Sequence, residues 1–318
     1  MKILVYGAGV LGSYLAQVLL RCGHNVTLLA RGKRLSELHE KGLVIRHYVQ
    51  RKTTRDEIRL TDSYHKDDIY DIVFVVMRRN QLDDVLPQLC ENNHSPLIVL
   101  VGNNPTADKT QKYIEENREK PKRVVYGFQV AGGRRENGMV ISVHFGLSRL
   151  AGNMTLGSLD GDDSYKELLR SVFSTSKYRL TFHNNMDVWL KAHIAFIMPL
   201  CFACYSANGQ MKKLARNKVM LNLTIDAMDE AYRILEACGY PVDEQDLEFV
   251  RKRRFKCYMM LKLMTATPFG RLAVSDHAMS AKDEMRRLYD DFCVFKERAH
   301  IATPAWDELE KYMVEVDS

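Results

Sequence analysis

Several features that would direct the reading elsewhere are missing from this chain. No stretch approaches the ~20 apolar residues of a membrane span, which predicts no membrane partner. Met1-Lys2 runs directly into an apolar strand-like segment, without the apolar core and small-residue cleavage site of a secretory leader. The N-terminus is therefore expected to be mature as written and the location cytoplasmic. The seven cysteines, Cys22, Cys90, Cys201, Cys204, Cys238, Cys257 and Cys293, are scattered and odd in number, as in a reduced intracellular protein rather than a disulfide scaffold. Cys201-Phe202-Ala203-Cys204 has redox spacing but lies inside a long apolar segment, so both cysteines read as small buried side chains. No cysteine and histidine set has the spacing of a zinc site, and no metal is expected. Internal repeats and low-complexity stretches are absent.

A nucleic-acid motif is also lacking. The formal net charge of +6 is a modest excess that suits anionic small molecules. The densest basic run, Arg251-Lys252-Arg253-Arg254-Phe255-Lys256, sits among helix formers and reads as a solvated helix face. With 318 residues, 46% hydrophobic and 27% charged, the chain has the composition of a globular protein and length for two domains.

What is present begins with Val5-Tyr6-Gly7-Ala8-Gly9-Val10-Leu11-Gly12. It follows Ile3-Leu4-Val5, a short β-branched run, and opens into Ser13 to Leu20, whose apolar residues recur at helical spacing. A dinucleotide-binding turn needs glycine at these places. Gly7 allows the tight turn, Gly9 lets backbone approach a pyrophosphate, and Gly12 lets the helix pack close to the strand. The free N–H groups of the helix start, around Ala8, Val10 and Leu11, would hold the phosphates.

Val26 to Ala30 reads as the second strand. An acidic residue at its end would accept from the adenosine ribose hydroxyls; a basic one would pair with a 2′-phosphate. The strand ends in Ala30-Arg31, followed by Gly32-Lys33-Arg34. Arg31 leads this basic set, which predicts NADP(H). Segments 43–48 and 56–61 alternate like a pair of half-exposed strands. Tyr70 to Met77 and Pro96 to Val101 are buried parallel strands, and Arg78, Gln81, Asn103 and Asn104 follow their carboxyl ends, where open α/β sheets bind ligands. Residues 123–157 are strand-rich and are expected to extend the same sheet. From Met186 the periodicity turns helical over 186–207, 215–238, 244–264 and 281–300. The expected fold is α/β, with an N-terminal Rossmann-type doubly wound sheet over 1–183 and a C-terminal all-helical domain over 184–318. Its apolar helices are compatible with a homodimer.

With Gly7 to Gly12, Arg31, Asn103 and Trp189-Leu190-Lys191 in view, the chain resembles the ketopantoate reductase family, as a divergent member. The resemblance implies reduction of a small 2-oxo acid by NADPH in a cleft between domains, with 2-dehydropantoate to pantoate as the named example. It implies that Lys191 is catalytic, stabilising and protonating the alkoxide left by hydride transfer. Asn103 would orient nicotinamide or substrate, and Arg78 stands where the family has a cofactor-side lysine. Toward the C-terminus, Glu284 would be the second catalytic residue and Ser275 and His277 would bind substrate. His277 and Glu284 would share a face if one helix ran through both. The pattern departs from the family after Lys191, where Ala195 and Pro199 stand in place of asparagines. Two other readings fit the same residues: an NADP(H)-binding sensor without catalysis, and a 3-hydroxy acid dehydrogenase.

Overall fold

The computed structural model describes residues 1–144, 146, 148–267 and 270–315. The chain folds as two compact units, one of Met1–Gly102 with Ala107–Met186, the other of Asn103–Thr106 with Asp187–Ser318.

The first unit is built on β1 (Lys2–Tyr6), α1 (Val10–Arg21) and β2 (Asn25–Leu29), followed by α2 (Gly32–Lys41). Two further strands, β3 (Leu43–His47) and β4 (Lys52–Asp56), form a hairpin, and β5 (Arg59–Thr61) comes next. The chain continues through β6 (Ile72–Val76), the short helices α3 (Arg79–Leu82) and α4 (Leu86–Glu91), β7 (Leu97–Val101) and α5 (Ala107–Asn117). It then adds β8 (Arg123–Gln129), β9 (Ala131–Glu136), β10 (Met139–His144), β11 (Ala151–Gly157), α6 (Lys166–Phe173) and β12 (Lys177–Phe182).

An 8-stranded sheet has the order β12-β11-β8-β7-β6-β1-β2-β5. It is parallel except where β11 meets β8. The central strands β6 and β7 are buried at every residue, which is why they read as continuous apolar runs.

The sequence expectation needs two corrections here. Residues 56–61 do not form one strand. The hairpin partner of β3 is Lys52–Asp56, while Arg59–Thr61 joins the large sheet beside β2. The sequence Lys-Thr-Thr-Arg-Asp carries no alternating apolar signal, because β4 is an edge strand exposed along most of its length. Nor do all the strands of 123–157 extend the first sheet. β9 and β10 pair with the hairpin in a 4-stranded sheet of order β4-β3-β10-β9. Gly133 permits that crossing: at φ +136°, a Cβ there would stand 1.9 Å from the Ile141 carbonyl oxygen.

This second sheet packs on α1 and encloses a polar knot. His47 Nδ1 lies 3.1 Å from His144 Nε2, and Thr54 Oγ1 lies 2.9 Å from His47 Nε2. Tyr14 stacks on His144 with ring centroids 4.3 Å apart. Burial pushes both imidazoles down to about 4, so both are neutral near pH 7.

The second unit is helical: α7 (Met186–Ser206), α8 (Met211–Arg216), α9 (Lys218–Ala237), α10 (Glu244–Arg251) and α11 (Arg254–Ala266). After a π-helical turn at Arg271–Ser275 come α12 (Asp276–Ser280), α13 (Lys282–Ala299) and α14 (Pro304–Glu315). By length and apolarity α7 could cross a bilayer, contrary to the expectation from runs of apolar residues. It carries Asp187 and Lys191, however, and 78% of its most apolar window is buried in the protein as a core helix. Phe202, Phe292 and Trp306 form its aromatic centre, with Phe292 stacked on Trp306 at 5.0 Å. Trp306 is placed by a distant residue. The buried carboxylate of Glu230 on α9 accepts from the backbone N–H groups of Ala305 (3.1 Å) and Trp306 (2.7 Å). It thus supplies the anion that a helix start favours.

Cys201 and Cys204 are buried free thiols, as the apolar context predicted, and burial pushes Cys204 up to about 11. Within the basic run, Arg251 pairs with Asp229 and Glu236, Arg253 with Glu248, and Arg254 with Asp226. Those three are cations of a paired helix surface.

Candidate active site

The glycine turn has the shape its spacing demands. Gly7 has φ +122°, and a Cβ on it would stand 2.2 Å from the Val76 carbonyl oxygen of β6. A Cβ on Gly12 would stand 1.9 Å from the Gly7 carbonyl oxygen. Gly9 differs, because a Cβ there would meet nothing within 4 Å. Gly9 is the N-cap of α1, no side chain caps the helix, and its first turn carries no acidic residue. The helix therefore presents N–H groups and its positive end beside an open approach, which is the local chemistry of a phosphate cradle.

Behind the turn is a brace that the sequence did not disclose. Arg34 is buried, and its Nε donates to the Ala8 carbonyl (3.1 Å), its Nη1 to the Gly138 carbonyl (2.7 Å) and its Nη2 to Ser13 Oγ (3.2 Å). Ser13 Oγ donates to the same Ala8 carbonyl at 3.2 Å. Arg34 is thus committed to holding the loop. Apart from an ion pair with Glu37 at 3.5 Å, its partners lie 21 to 104 residues away, so the local sequence does not separate it from its exposed neighbours.

Arg31 is exposed at the end of β2. Its Nε donates to the Asp62 carbonyl (3.1 Å) and its Nη2 to the Tyr6 hydroxyl (2.7 Å), and the guanidinium lies 5.5 Å from the Tyr6 ring centroid. These contacts fix the plane of the guanidinium and leave Nη1 uncommitted. Arg78 is half-buried at the N-terminus of α3, just beyond β6. Asn103 follows β7 and Gly102, and its Oδ1 is a buried acceptor without a hydrogen-bond donor among the described residues. Such an atom costs about 1–3 kcal/mol unless something donates to it, so it suits a ligand N–H or O–H.

The helical unit handles the remaining candidates differently. Lys191 is fully buried. Its ammonium pairs with Asp187 one turn earlier on α7 and lies 4.8 Å from the Tyr240 ring centroid and 5.7 Å from that of Phe295. Trp189 and His193 lie on the half-open side of α7, their rings parallel and 5.3 Å apart; burial pushes His193 down to about 4.

Ser275 has its own partners, while His277 and Glu284 are paired. Ser275 Oγ donates to the Gly209 carbonyl at 2.9 Å, and His277 Nε2 lies 3.4 Å from Glu284 Oε2. A single helix does not carry that pair. The chain breaks at Ala281 (φ −127°, ψ 42°) between α12 and α13, and the break itself brings the side chains together. Glu284 is buried and acts electrostatically on Cys201, whose sulfur lies 3.7 Å from that of Met285. Cys201 is ten residues beyond Lys191 on α7, an axial rise of about 15 Å.

Comparisons with known proteins agree with this geometry. Residues 3–161 match the family described as Ketopantoate reductase PanE/ApbA. A 2-dehydropantoate 2-reductase of Archaeoglobus fulgidus is 24% identical over 247 residues, 76% of each chain. Among solved structures, D-mandelate dehydrogenase with NADH and anilino(oxo)acetate superposes with a TM-score of 0.79 at 17% identity, covering 100% of this chain and 98% of the other. The 2-dehydropantoate 2-reductase of Geobacter metallireducens GS-15 gives 0.78 at 16% identity, covering 99% of each. With half its length matched and the glycine turn shaped as described, the chain belongs to the ketopantoate reductase PanE/ApbA family.

Proposed function

We propose that this protein is a cytoplasmic NADP(H)-dependent reductase of a small 2-oxo acid, with 2-dehydropantoate as the reference substrate. The observation that carries the reading is the open approach at Gly9 in front of an uncapped helix start, with Gly7 and Gly12 closed off by backbone. A pyrophosphate fits there. Arg31, oriented by Tyr6 and Asp62, would take the 2′-phosphate, and Arg78 would add positive charge on the nicotinamide side. When bound, the reduced nicotinamide supplies the hydride.

The protein's own part is to position and to move a proton. The partnerless Oδ1 of Asn103 accepts from the carboxamide or from the nascent hydroxyl. Lys191, held by Asp187, stabilises the alkoxide and gives it a proton from Nζ. Reaching the substrate requires that ammonium to exchange Asp187 for the substrate oxygen. Protonation is assigned to Lys191, and Glu284, paired with His277, is the second candidate acid.

NADPH and NADH oxidation by the purified protein should be followed with a panel of 2-oxo acids, 2-dehydropantoate and an aryl 2-oxo acid among them, and with 3-hydroxy acids in reverse. Turnover of a 2-oxo acid with NADPH is expected. The full enclosure of Lys191 favours one other reading, a protein that binds NADP(H) without turning it over. Tight NADPH binding by calorimetry with no turnover on any substrate would select it.

A further inference from the structure

One face of the helical unit combines bare cations with bare apolar side chains. Residues 208–225 and 249–275 contain no aspartate or glutamate. These stretches form α8, the start of α9 and α11, and α8 packs along α11 while α9 contacts both. On them Lys212, Lys213, Arg216, Lys218, Lys256 and Lys262 are exposed. Among the described residues none has an ion pair; the ammonium of Lys262 lies only 5.9 Å from the Tyr258 ring centroid.

The apolar part is ordered too. α11 buries only Cys257, Leu261 and Thr265. Phe255, Met259 and Leu263 follow one another at four-residue spacing on its outer side and are 75%, 45% and 66% exposed. At 100° per residue Lys256 falls on one flank of that row and Lys262 on the other. Val219, at the start of α9, is 79% exposed.

We propose that this face docks on an anionic lipid bilayer, with the Phe255–Met259–Leu263 row entering the interface and the flanking lysines reaching the headgroups. An apolar row with a lysine on each flank is the arrangement of an interfacial helix, and stretches that carry cations without acids of their own complement anionic lipid, the half-exposed Asp226 being paired with Arg254. A second copy of the chain fits less well. Antiparallel pairing of two such helices would bring Lys256 of one against Lys262 of the other. A handful of apolar side chains is also far short of the roughly 20–30 residues a side in a standard interface. The bilayer accepts the row without a matching groove.

Co-sedimentation of the full-length protein with phosphatidylcholine vesicles, and with vesicles containing 40% phosphatidylserine (roughly the anionic content that would give a strong surface potential), tests the proposal. Binding is expected only to the anionic vesicles and should weaken at least tenfold (~10×) between 0.1 and 0.5 M salt as screening tightens. Phe255→Ser with Leu263→Ser, and separately Lys256→Glu with Lys262→Glu, should each weaken binding by a factor of about ten or more. Far-UV circular dichroism and NADPH affinity should remain those of the parent, so loss of fold is distinguishable from loss of docking. The proposal is overturned if the parent protein ignores anionic vesicles or if the Phe255/Leu263 variant binds them as well as the parent does. A concentration-dependent dimer in analytical ultracentrifugation that dissociates on Leu263→Ser would also overturn it and make α11 a self-interface.

Discussion

Arg31 offers the most direct test of cofactor choice. Its guanidinium is held by Tyr6 and the Asp62 carbonyl, so little rotational freedom is lost when a phosphate arrives. Nη1 and the free N–H of Nη2 can both donate to one phosphate, as charge-assisted bonds worth about 1.5–3 kcal/mol each in sheltered sites. Arg31 is exposed, and solvent screening lowers the pair to about 2–3 kcal/mol in total. That corresponds to a preference for NADPH over NADH of roughly 30- to 150-fold. Arg31→Ala should remove most of it by weakening NADPH alone, while Arg31→Glu should invert it, because a carboxylate suits the ribose hydroxyls and repels the phosphate. Tyr6→Phe, which loosens the guanidinium and also removes the bond of the Tyr6 hydroxyl to Gln88 Oε1, should cost NADPH about fivefold, in line with one lost hydrogen bond to the guanidinium. Isothermal titration calorimetry with both cofactors reads all of this. If Arg31→Ala leaves the ratio of the two affinities unchanged, the assignment of NADP(H) through this residue is wrong.

Three further outcomes follow from the geometry. Gly9→Val should fold with near-parental thermal stability and lose NADPH binding, whereas Gly12→Ala, whose methyl would strike the Gly7 carbonyl, should lose about 3 kcal/mol or more in urea unfolding. The His47–His144 pair should give an acid limb. Both folded-state values lie near 4, below the ordinary 6.5, so the unfolded chain binds more protons between those values. Stability should be full above about pH 6.5, fall through the window and level off near 4. Shared bonding and screening bring the pair's contribution to about 3–5 kcal/mol; His144→Phe should flatten the limb, and an unchanged limb would refute the cause. Lys191→Met should lower kcat by about 10²- to 10⁴-fold if the lysine is the proton donor, at a stability cost of about 2–4 kcal/mol from its broken pair with Asp187. A kcat within threefold (~3×) of the parent in stopped-flow assays would move the proton donor elsewhere.

Much of this was legible in the sequence because it is local. A glycine turn between strand and helix depends on spacing over eight residues, and the buried strands β6 and β7 declare themselves by continuous apolar runs. The core helices show their periodicity for the same reason. What depends on distant partners was silent. Arg34 looks like its exposed neighbours until Ala8, Ser13 and Gly138 come to meet it. β4 has no apolar alternation to read, and the helix Pro304–Glu315 is fixed in place by a glutamate more than seventy residues upstream. Helical periodicity could not show the break at Ala281 that sets His277 beside Glu284.

That upstream glutamate has a consequence for how the protein is made. Glu230 is synthesised long before Ala305 and Trp306, whose N–H groups it receives. Until the last helix emerges, α9 can close on its neighbours only by leaving that carboxylate bare and the space of Trp306 unfilled. During vectorial synthesis the helical unit must therefore wait, loosely assembled, until Pro304–Glu315 has cleared the ribosome. A truncation just before Pro304 would then remove a closing step of the whole unit, not merely one helix.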